Sequence, residues 1–526
     1  LFQRCAPPGS KLFDERAGIA LPRCVPHAVE GSAAVSSIRS PSVWATAAGL
    51  ATTTPICASM ALGAEPWGID RMTTNTMTKH DRICVVGAGP AGLATAYRLH
   101  REGFTNVTVL EKLPQIGGLC LTYEFQGRAF DLGANYVTSS YRRIRKMAKE
   151  VRAEMYIEAN ASFYDTTTGK YQSILRTARR NTSLPRFGYD SVRYLWKRWR
   201  LGRELPSSGF AVTDEHPDLL QSFGQWLDQQ GLTSLRALFE IPITLMGYGP
   251  LDVIPAPYAL TYMRVGSVLD LMIYGSMPFH RWPRRFVDGF QRFWARVAEP
   301  LDVRTGVHIT SVQRGADGVT VVAQFPTEVD GNVVLEQRTL EFDWLVLCCP
   351  LQLSTTGEFL DLSAQEIELF ERITLNPFCV TTYAMAPSHA FELKTRLVNV
   401  TPAPERSSAR PTIITQQFKD NPLVTFYTPV TDPGAGIEPA VLAGVRQLAA
   451  EVSIHLPDHY ETWNNFPYFP QVQVSDFANG WYRRVEAMQG TNRTFYNGGI
   501  MAFELIEPIV EYSECLVRTH FVARAT

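Results

Sequence analysis

The sequence predicts an α/β fold in which a doubly wound, Rossmann-like domain is interleaved with a mixed α+β domain. Three observations carry this expectation. Arg82–Val86 reads as a buried strand running into the turn Gly87-Ala88-Gly89-Pro90-Ala91-Gly92, and a helical pattern follows with Leu93, Ala96 and Tyr97 on one face. Val107–Leu110 reads as a second strand and ends in the acid Glu111. Asp343-Trp344-Leu345-Val346-Leu347-Cys348-Cys349-Pro350 reads as a strand buried on both faces and closed by a turn.

The turn has a physical logic. Gly87 permits the tight turn, Gly89 lets the backbone approach a pyrophosphate, and Gly92 lets helix and strand pack closely. The helix start, with Ala88, Pro90 and Ala91 in the same turn, offers N–H groups and a positive dipole end to phosphates. Glu111 lies nineteen residues after Gly92, placed to accept hydrogen bonds from an adenosine ribose. Its charge repels a 2′-phosphate, which leaves FAD or NAD as the cofactor and sets NADP aside.

Composition bounds the rest. The chain has 526 residues, a net charge of −1, 45% hydrophobic and 19% charged residues, which excludes global disorder. A near-neutral balance argues against a nucleic-acid binder, whose phosphate contacts need a basic excess. The nine cysteines are odd in number and never spaced C-x-x-C, the pattern of buried free thiols in a reducing compartment. No His/Cys cluster suggests a metal; His455 and His459 are separated by Pro457. No uncharged apolar run after residue 80 is long enough to span a bilayer.

Residues 1–80 differ from the remainder. They hold 7 basic and 5 acidic residues, and from Gly31 to Ala64 the only charge is Arg39. Such a stretch reads as a disordered leader of the organellar transit type, or as a non-native extension, because the chain opens with Leu1 and Met77 precedes the first strand. A true transit peptide implies a plastid or other organelle; otherwise a cytoplasmic location is expected.

The following segments carry a resemblance. Gln115-Ile116-Gly117-Gly118-Leu119 and Asp131-Leu132-Gly133-Ala134-Asn135 resemble the flavin amine-oxidase superfamily, in which such small-residue stretches wrap FAD. The resemblance implies an FAD-binding domain of the GR2/amine-oxidase type, with Lys112 beside Glu111 among its contacts. Val303–Val307, followed by Ile309, Val312 and Val319–Val322, looks like a hairpin returning to that domain, and Val307 matches the residue that holds the adenine through its backbone. Thr494-Phe495-Tyr496-Asn497-Gly498-Gly499-Ile500 resembles the C-terminal flavin motif, which implies contacts from Gly498, Gly499 and Met501. Two positions depart from the pattern: Leu119 stands where a basic residue is usual, and Gly499 where an acid usually meets the ribityl chain. Domain limits follow: 81–160, 286–355 and 456–526 for the cofactor domain, 161–285 (mostly helical) and 356–455 for the substrate domain.

Further segments narrow the resemblance. Met246-Gly247-Tyr248-Gly249-Pro250, Thr462-Trp463, Tyr468-Phe469-Pro470 and Gly480-Trp481-Tyr482 are similar to the flavin-dependent polyunsaturated fatty acid double-bond isomerases. That family implies a redox-neutral reaction: FAD takes a hydride from an allylic methylene at N5 and returns it elsewhere, giving a conjugated product. The implied partner is a polyunsaturated fatty acid or another long apolar substrate, in a tunnel lined by Tyr248, Trp463, Phe469, Trp481 and Tyr482. No catalytic acid, base or nucleophile is marked out. A substrate carboxylate would need an arginine, and Arg264, Arg281, Arg284 and Arg285 fall in the region.

Alternatives remain open at this stage: an amine oxidase, a polyene desaturase, or a non-catalytic FAD-binding relative. Amine oxidation typically uses a lysine near N5, and none follows Lys419. Val192, Leu195, Trp196 and Trp199 form an apolar helical face flanked by Arg193, Lys197, Arg198 and Arg200. This fits peripheral contact with an anionic membrane or a helix packed on the substrate domain.

Overall fold

The computed structural model describes residues 77–525, apart from 159–160, 205–208, 275–280, 330–331, 386–396, 402–404, 419, 432–433 and 435. At its centre strand β1 (Ile83–Val86), buried at all four positions, leads through the glycine turn into helix α1 (Pro90–Arg101) and strand β2 (Val107–Leu110). These pair in parallel, Ile83 opposite Val107, within a five-stranded sheet ordered Thr494–Tyr496, Trp344–Leu347, β1, β2, Asp302–Arg304. All four pairings are parallel, so three distant chain segments build one sheet. Helices Phe290–Ala298 and Ile506–Leu516 pack on α1. The parallel sheet with helices packed on it makes a Rossmann-like α/β unit.

A second, seven-stranded sheet is ordered Thr462–Phe466, Phe378–Ala384, Leu423–Pro429, Ile413–Thr415, Leu397–Thr401, Ala161–Asp165, Lys170–Gln172. Side chains alternate across its faces, as the strand period of two requires. Cys379, Tyr383 and Phe426 meet Val441, Val445 and Leu448 of helix Ile437–Glu451. Phe378, Val380, Ile413 and Tyr427 turn the other way, onto Leu121, Leu132, Tyr136, Met246 and Tyr468. That second face looks toward the cofactor segments.

Several expectations change. Thr462–Phe466, assigned from sequence to the cofactor domain by the 456–526 boundary, is an edge strand of the seven-stranded sheet, because its backbone pairs with Phe378–Ala384. Ala161–Asp165 and Lys170–Gln172 are strands within the segment 161–285, which otherwise is largely helical. Asp302–Arg304 is a parallel sheet strand, and the hairpin begins only at His308–Arg314 with Val319–Val329. The leader expected over 1–80 lies outside the described residues up to 76. Met77 is fully buried and bridges Ala525, and Thr105 N–H donates to the Lys79 carbonyl, so 77–80 belong to the fold.

Among the described residues no helix is long and apolar enough to cross a membrane, and no cluster of His, Cys, Asp and Glu could hold a metal. The six described cysteines are free thiols, with Cys84, Cys120 and Cys379 buried.

Candidate cofactor and substrate site

The cradle is assembled where two glycine turns touch. A Cβ on Gly92 would overlap the Gly87 carbonyl oxygen, so the packing of α1 onto β1 requires glycine there. Gly117 N–H donates to the Ala88 carbonyl (2.8 Å), and a Cβ on Gly118 would lie 3.1 Å from Gly89 Cα. Gly89 caps α1 without a side-chain hydrogen bond, and Pro90 follows, so no side chain competes for the first-turn N–H groups.

Glu111 is buried and fixed. Its carboxylate accepts Ala88 N–H (2.7 Å) and Leu113 N–H (2.9 Å), one on each oxygen. Each oxygen keeps a further lone pair for a ribose hydroxyl. Val307 lies beside it, its N–H donating to the Glu111 carbonyl (2.9 Å), while Lys112 is exposed. Leu119 contributes a carbonyl in place of the usual charge: it accepts Ala134 N–H (3.0 Å) and leaves no room for a Cβ on Gly133.

Asp131 anchors this segment. Its Oδ1 accepts Phe290 N–H (2.8 Å) and Thr122 Oγ–H (2.7 Å), and burial pushes the carboxyl up to about 6. Tyr427 Oη donates to the Asp131 carbonyl (3.2 Å), and Asn135 Nδ2 donates to that hydroxyl (3.4 Å). Through Tyr427 the seven-stranded sheet is joined to the segment Asp131–Asn135.

At the C-terminal motif, Asn497 is fully buried and its amide donates to Thr95 and Ser513 (2.8 Å each), pinning the strand end to two helices. Gly498 follows with φ +130°, and a Cβ on it would meet nothing within 4 Å, so this side of the turn faces open space. Met501 is fully buried in the core, its N–H on the Gly498 carbonyl. Gly499 lies under Glu504, a residue that sequence reasoning missed; burial pushes the Glu504 carboxyl up to about 7.

Of the five residues expected to line a tunnel, four share one aromatic cluster. Tyr248 lies edge-on to Phe469 (5.0 Å between centroids) and stacked on Phe503 (5.0 Å). Tyr482 joins through Tyr258, their hydroxyls 2.6 Å apart, and Trp481 packs on Tyr482 (4.8 Å). Trp481 and Tyr482 are held as structural groups: the indole N–H donates to the Leu369 carbonyl, and Tyr482 Oη to the Ile500 carbonyl. Trp463 is not with them. It stands opposite Thr381, on the parity that faces helix Ile437–Glu451, away from the cofactor. Tyr468 and Phe378, 5.6 Å apart, occupy the inward side instead.

The arginines sort by partner. Arg264 pairs with Glu511 (2.9 Å), and Arg285, fully buried, pairs with Glu158 and lies over Tyr136 (4.7 Å). Arg281 is exposed, and Arg284 stacks on Trp282. Sequence reasoning missed Arg406. It donates to the carbonyls of Gly247 (2.9 Å), Pro377 (2.9 Å) and Val430 (3.2 Å), and no carboxylate among the described residues pairs with it. Burial lowers it to about 10, with Tyr468 close enough to oppose that shift.

On helix Leu184–Glu204 the side chains of Tyr189, Val192, Trp196 and Trp199 are all more than half exposed, whereas Leu195 is half-buried. Its basic rim is smaller than expected, because Arg198 is half-buried with Nε on the Leu260 carbonyl (2.8 Å), and Arg193 binds Asp190 and the Gln230 and Gly231 carbonyls.

The buried strand, the glycine turn at a helix start and the buried acid that ends the second strand are the features of a dinucleotide-binding protein. The chain belongs to the flavin-containing amine oxidoreductase family, whose model matches residues 90–483, and its cofactor is FAD. It is 24% identical over 449 residues to the FAD-dependent oxidoreductase dpchF of Colletotrichum higginsianum, covering 80% of this chain and 89% of that protein. It is 34% identical over 71 residues to a polyenoic fatty acid isomerase of Ptilota filicina, 14% of either chain. The structure of a CLA-producing fatty acid isomerase from P. acnes superposes with a TM-score of 0.72 at 23% identity, over 85% of this chain and 100% of that one. The protein is thus an enzyme of the FAD-dependent oxidoreductase superfamily. The residues present fit FAD: the glycine turns approach each other without side chains, and Gly498 opens onto free space.

Proposed function

We propose that this protein is a polyunsaturated fatty acid double-bond isomerase, moving double bonds into conjugation. The observation that carries the reading is the aromatic wall that adjoins the C-terminal flavin turn, formed by Tyr248, Tyr468, Phe469 and Phe503. Burial raises the Tyr248 and Tyr468 hydroxyls well above their usual range, so these rings stay neutral. A neutral aromatic surface suits an acyl chain and stabilises an allylic cation through its π-faces. The partial likeness to the Ptilota isomerase and the fold of the P. acnes isomerase support the same substrate class.

FAD, when bound, supplies the acceptance and return of a hydride at N5. The chain's own residues orient and enclose. Tyr248, Tyr468 and Phe503 supply aromatic surface, Phe378 of the sheet extends it through Tyr468 (5.6 Å), and this buried apolar wall keeps water out. Arg406 holds the substrate carboxylate, with guanidinium donors beyond the three given to backbone carbonyls. The exposed stripe Tyr189, Val192, Trp196 and Trp199, with Arg203 over Trp199 (5.1 Å), rests on an anionic lipid surface. An apolar cavity lined by Leu175, Phe187, Leu238 and Met272 lies on another side of the same helix.

The test is anaerobic. Purified flavin-loaded protein mixed with excess linoleic or arachidonic acid should build up the ultraviolet band of a conjugated product over many turnovers. A second reading, net oxidation of an apolar substrate, is favoured by the long match to dpchF. It predicts flavin bleaching after one turnover without oxygen. Hydrogen peroxide formed with amines in air and no conjugated product would sink the isomerase reading.

A further inference from the structure

The turn after the last sheet strand carries a carboxylate that none of the motifs accounts for. The chain leaves Gly498, makes the short helix Gly499–Ala502, and reverses at Phe503, whose φ of +78° is one that bulky residues avoid. This reversal brings Glu504 back over Gly499 so closely that any Cβ at 499 would overlap the Glu504 carboxylate. Strain of this kind persists where the surroundings over-determine it. Here Tyr248 Oη donates to the Glu504 carbonyl (3.3 Å), Tyr482 Oη to the Ile500 carbonyl (2.8 Å), and Phe503 is stacked on Tyr248.

Glu504 is partly buried, yet among the described residues no donor reaches its carboxylate. A desolvated carboxylate without a hydrogen bond is costly, which points to a donor supplied from outside the chain. The neighbouring Gly498 opens onto free space, on the turn that ends the cofactor sheet. FAD brings hydroxyl donors of its own, on the ribityl chain.

We propose that Glu504 is a cofactor-binding residue whose carboxylate accepts hydrogen bonds from the ribityl hydroxyls of FAD, supplying the acid that position 499 lacks. The absence of a side chain at Gly499 is then the condition that makes room for it. A carboxylate has lone pairs for several such donors and gains strength from its charge. The assignment depends on FAD alone and is independent of which reaction the flavin performs.

The test measures FAD affinity of the deflavinated protein by quenching of flavin fluorescence. Glu504→Ala should weaken binding about tenfold or more while the apoprotein melts normally, and Gly499→Asp added to it should restore most of the loss. Glu504→Gln, which keeps the shape, should weaken binding less and serves if the alanine variant fails to fold. FAD binding within about twofold of the parent in Glu504→Ala, or in Glu504→Gln where only that variant folds, overturns the proposal. So does a loss that Gly499→Asp leaves unchanged, which would mark a structural role.

Discussion

Gly133 sits directly beneath Leu119, with no space between its Cα and the Leu119 carbonyl oxygen for a side chain. The two residues belong to different glycine-bearing segments, and Ala134 N–H closes the contact on the same carbonyl. Gly133→Ala must therefore separate the segments. A cost of about 1–3 kcal/mol from overpacking is expected, together with loss of bound flavin. Urea unfolding and the flavin absorbance of the purified variant check both effects.

Arg406 is the guanidinium expected to face a substrate carboxylate. Arg406→Ala should raise KM for a free fatty acid about ten- to a hundredfold with a smaller change in kcat. Arg406→Lys, which keeps the charge without the planar fork, should fall between. The corresponding fatty alcohol, lacking the carboxylate, should be nearly indifferent to either change. An unchanged KM in both variants would remove Arg406 from that role.

Glu366 gives a pH prediction with a definite sign. Despite burial, hydrogen bonds from Arg314, Tyr496 and Ser363 hold its carboxyl down to about 2. The stability it contributes is present above its ordinary value near 4.5 and is lost as pH falls through about 2. Glu366→Gln should cost on the order of 2 kcal/mol at pH 7, and the gap to the parent should shrink below pH ~4.5. Denaturant melts at pH 7 and pH 3 would measure it.

Vesicle sedimentation tests the exposed helix. The parent protein should pellet with vesicles containing phosphatidylserine and less with phosphatidylcholine alone, and added salt should release it. Replacing Trp196 and Trp199 by alanine should abolish pelleting and leave the rate with detergent-dispersed substrate unchanged. Equal pelleting of parent and variant would discard the membrane contact.

The cofactor half of the fold was legible because its signals are local. Gly87 to Gly92 and Glu111 lie within one strand–helix–strand unit, where spacing alone places each group. The substrate half depends on non-local pairing. Trp463 and Asn464 differ by one position, yet only strand pairing with Phe378–Ala384 decides which of them faces inward. Arg406 carried no signal in its neighbours, since its significance comes from carbonyls at 247, 377 and 430. Glu504 was hidden for a related reason: a positive φ at a phenylalanine is not written in residue type, although the glycine doublet at 498–499 marked the place. The basic rim was overestimated because Arg198 turns inward onto the Leu260 carbonyl, a contact made 62 positions away.

One edge of the five-stranded sheet is taken by Thr494–Tyr496, the last of its strands in chain order. The sheet and its flavin turn are thus incomplete on a nascent chain, however early the Gly87 turn has formed. A ribosome stall or nonsense codon upstream of 494 therefore leaves a polypeptide whose five-stranded sheet lacks one edge. A yellow colour would then serve as a built-in report that synthesis passed the last strand of that sheet.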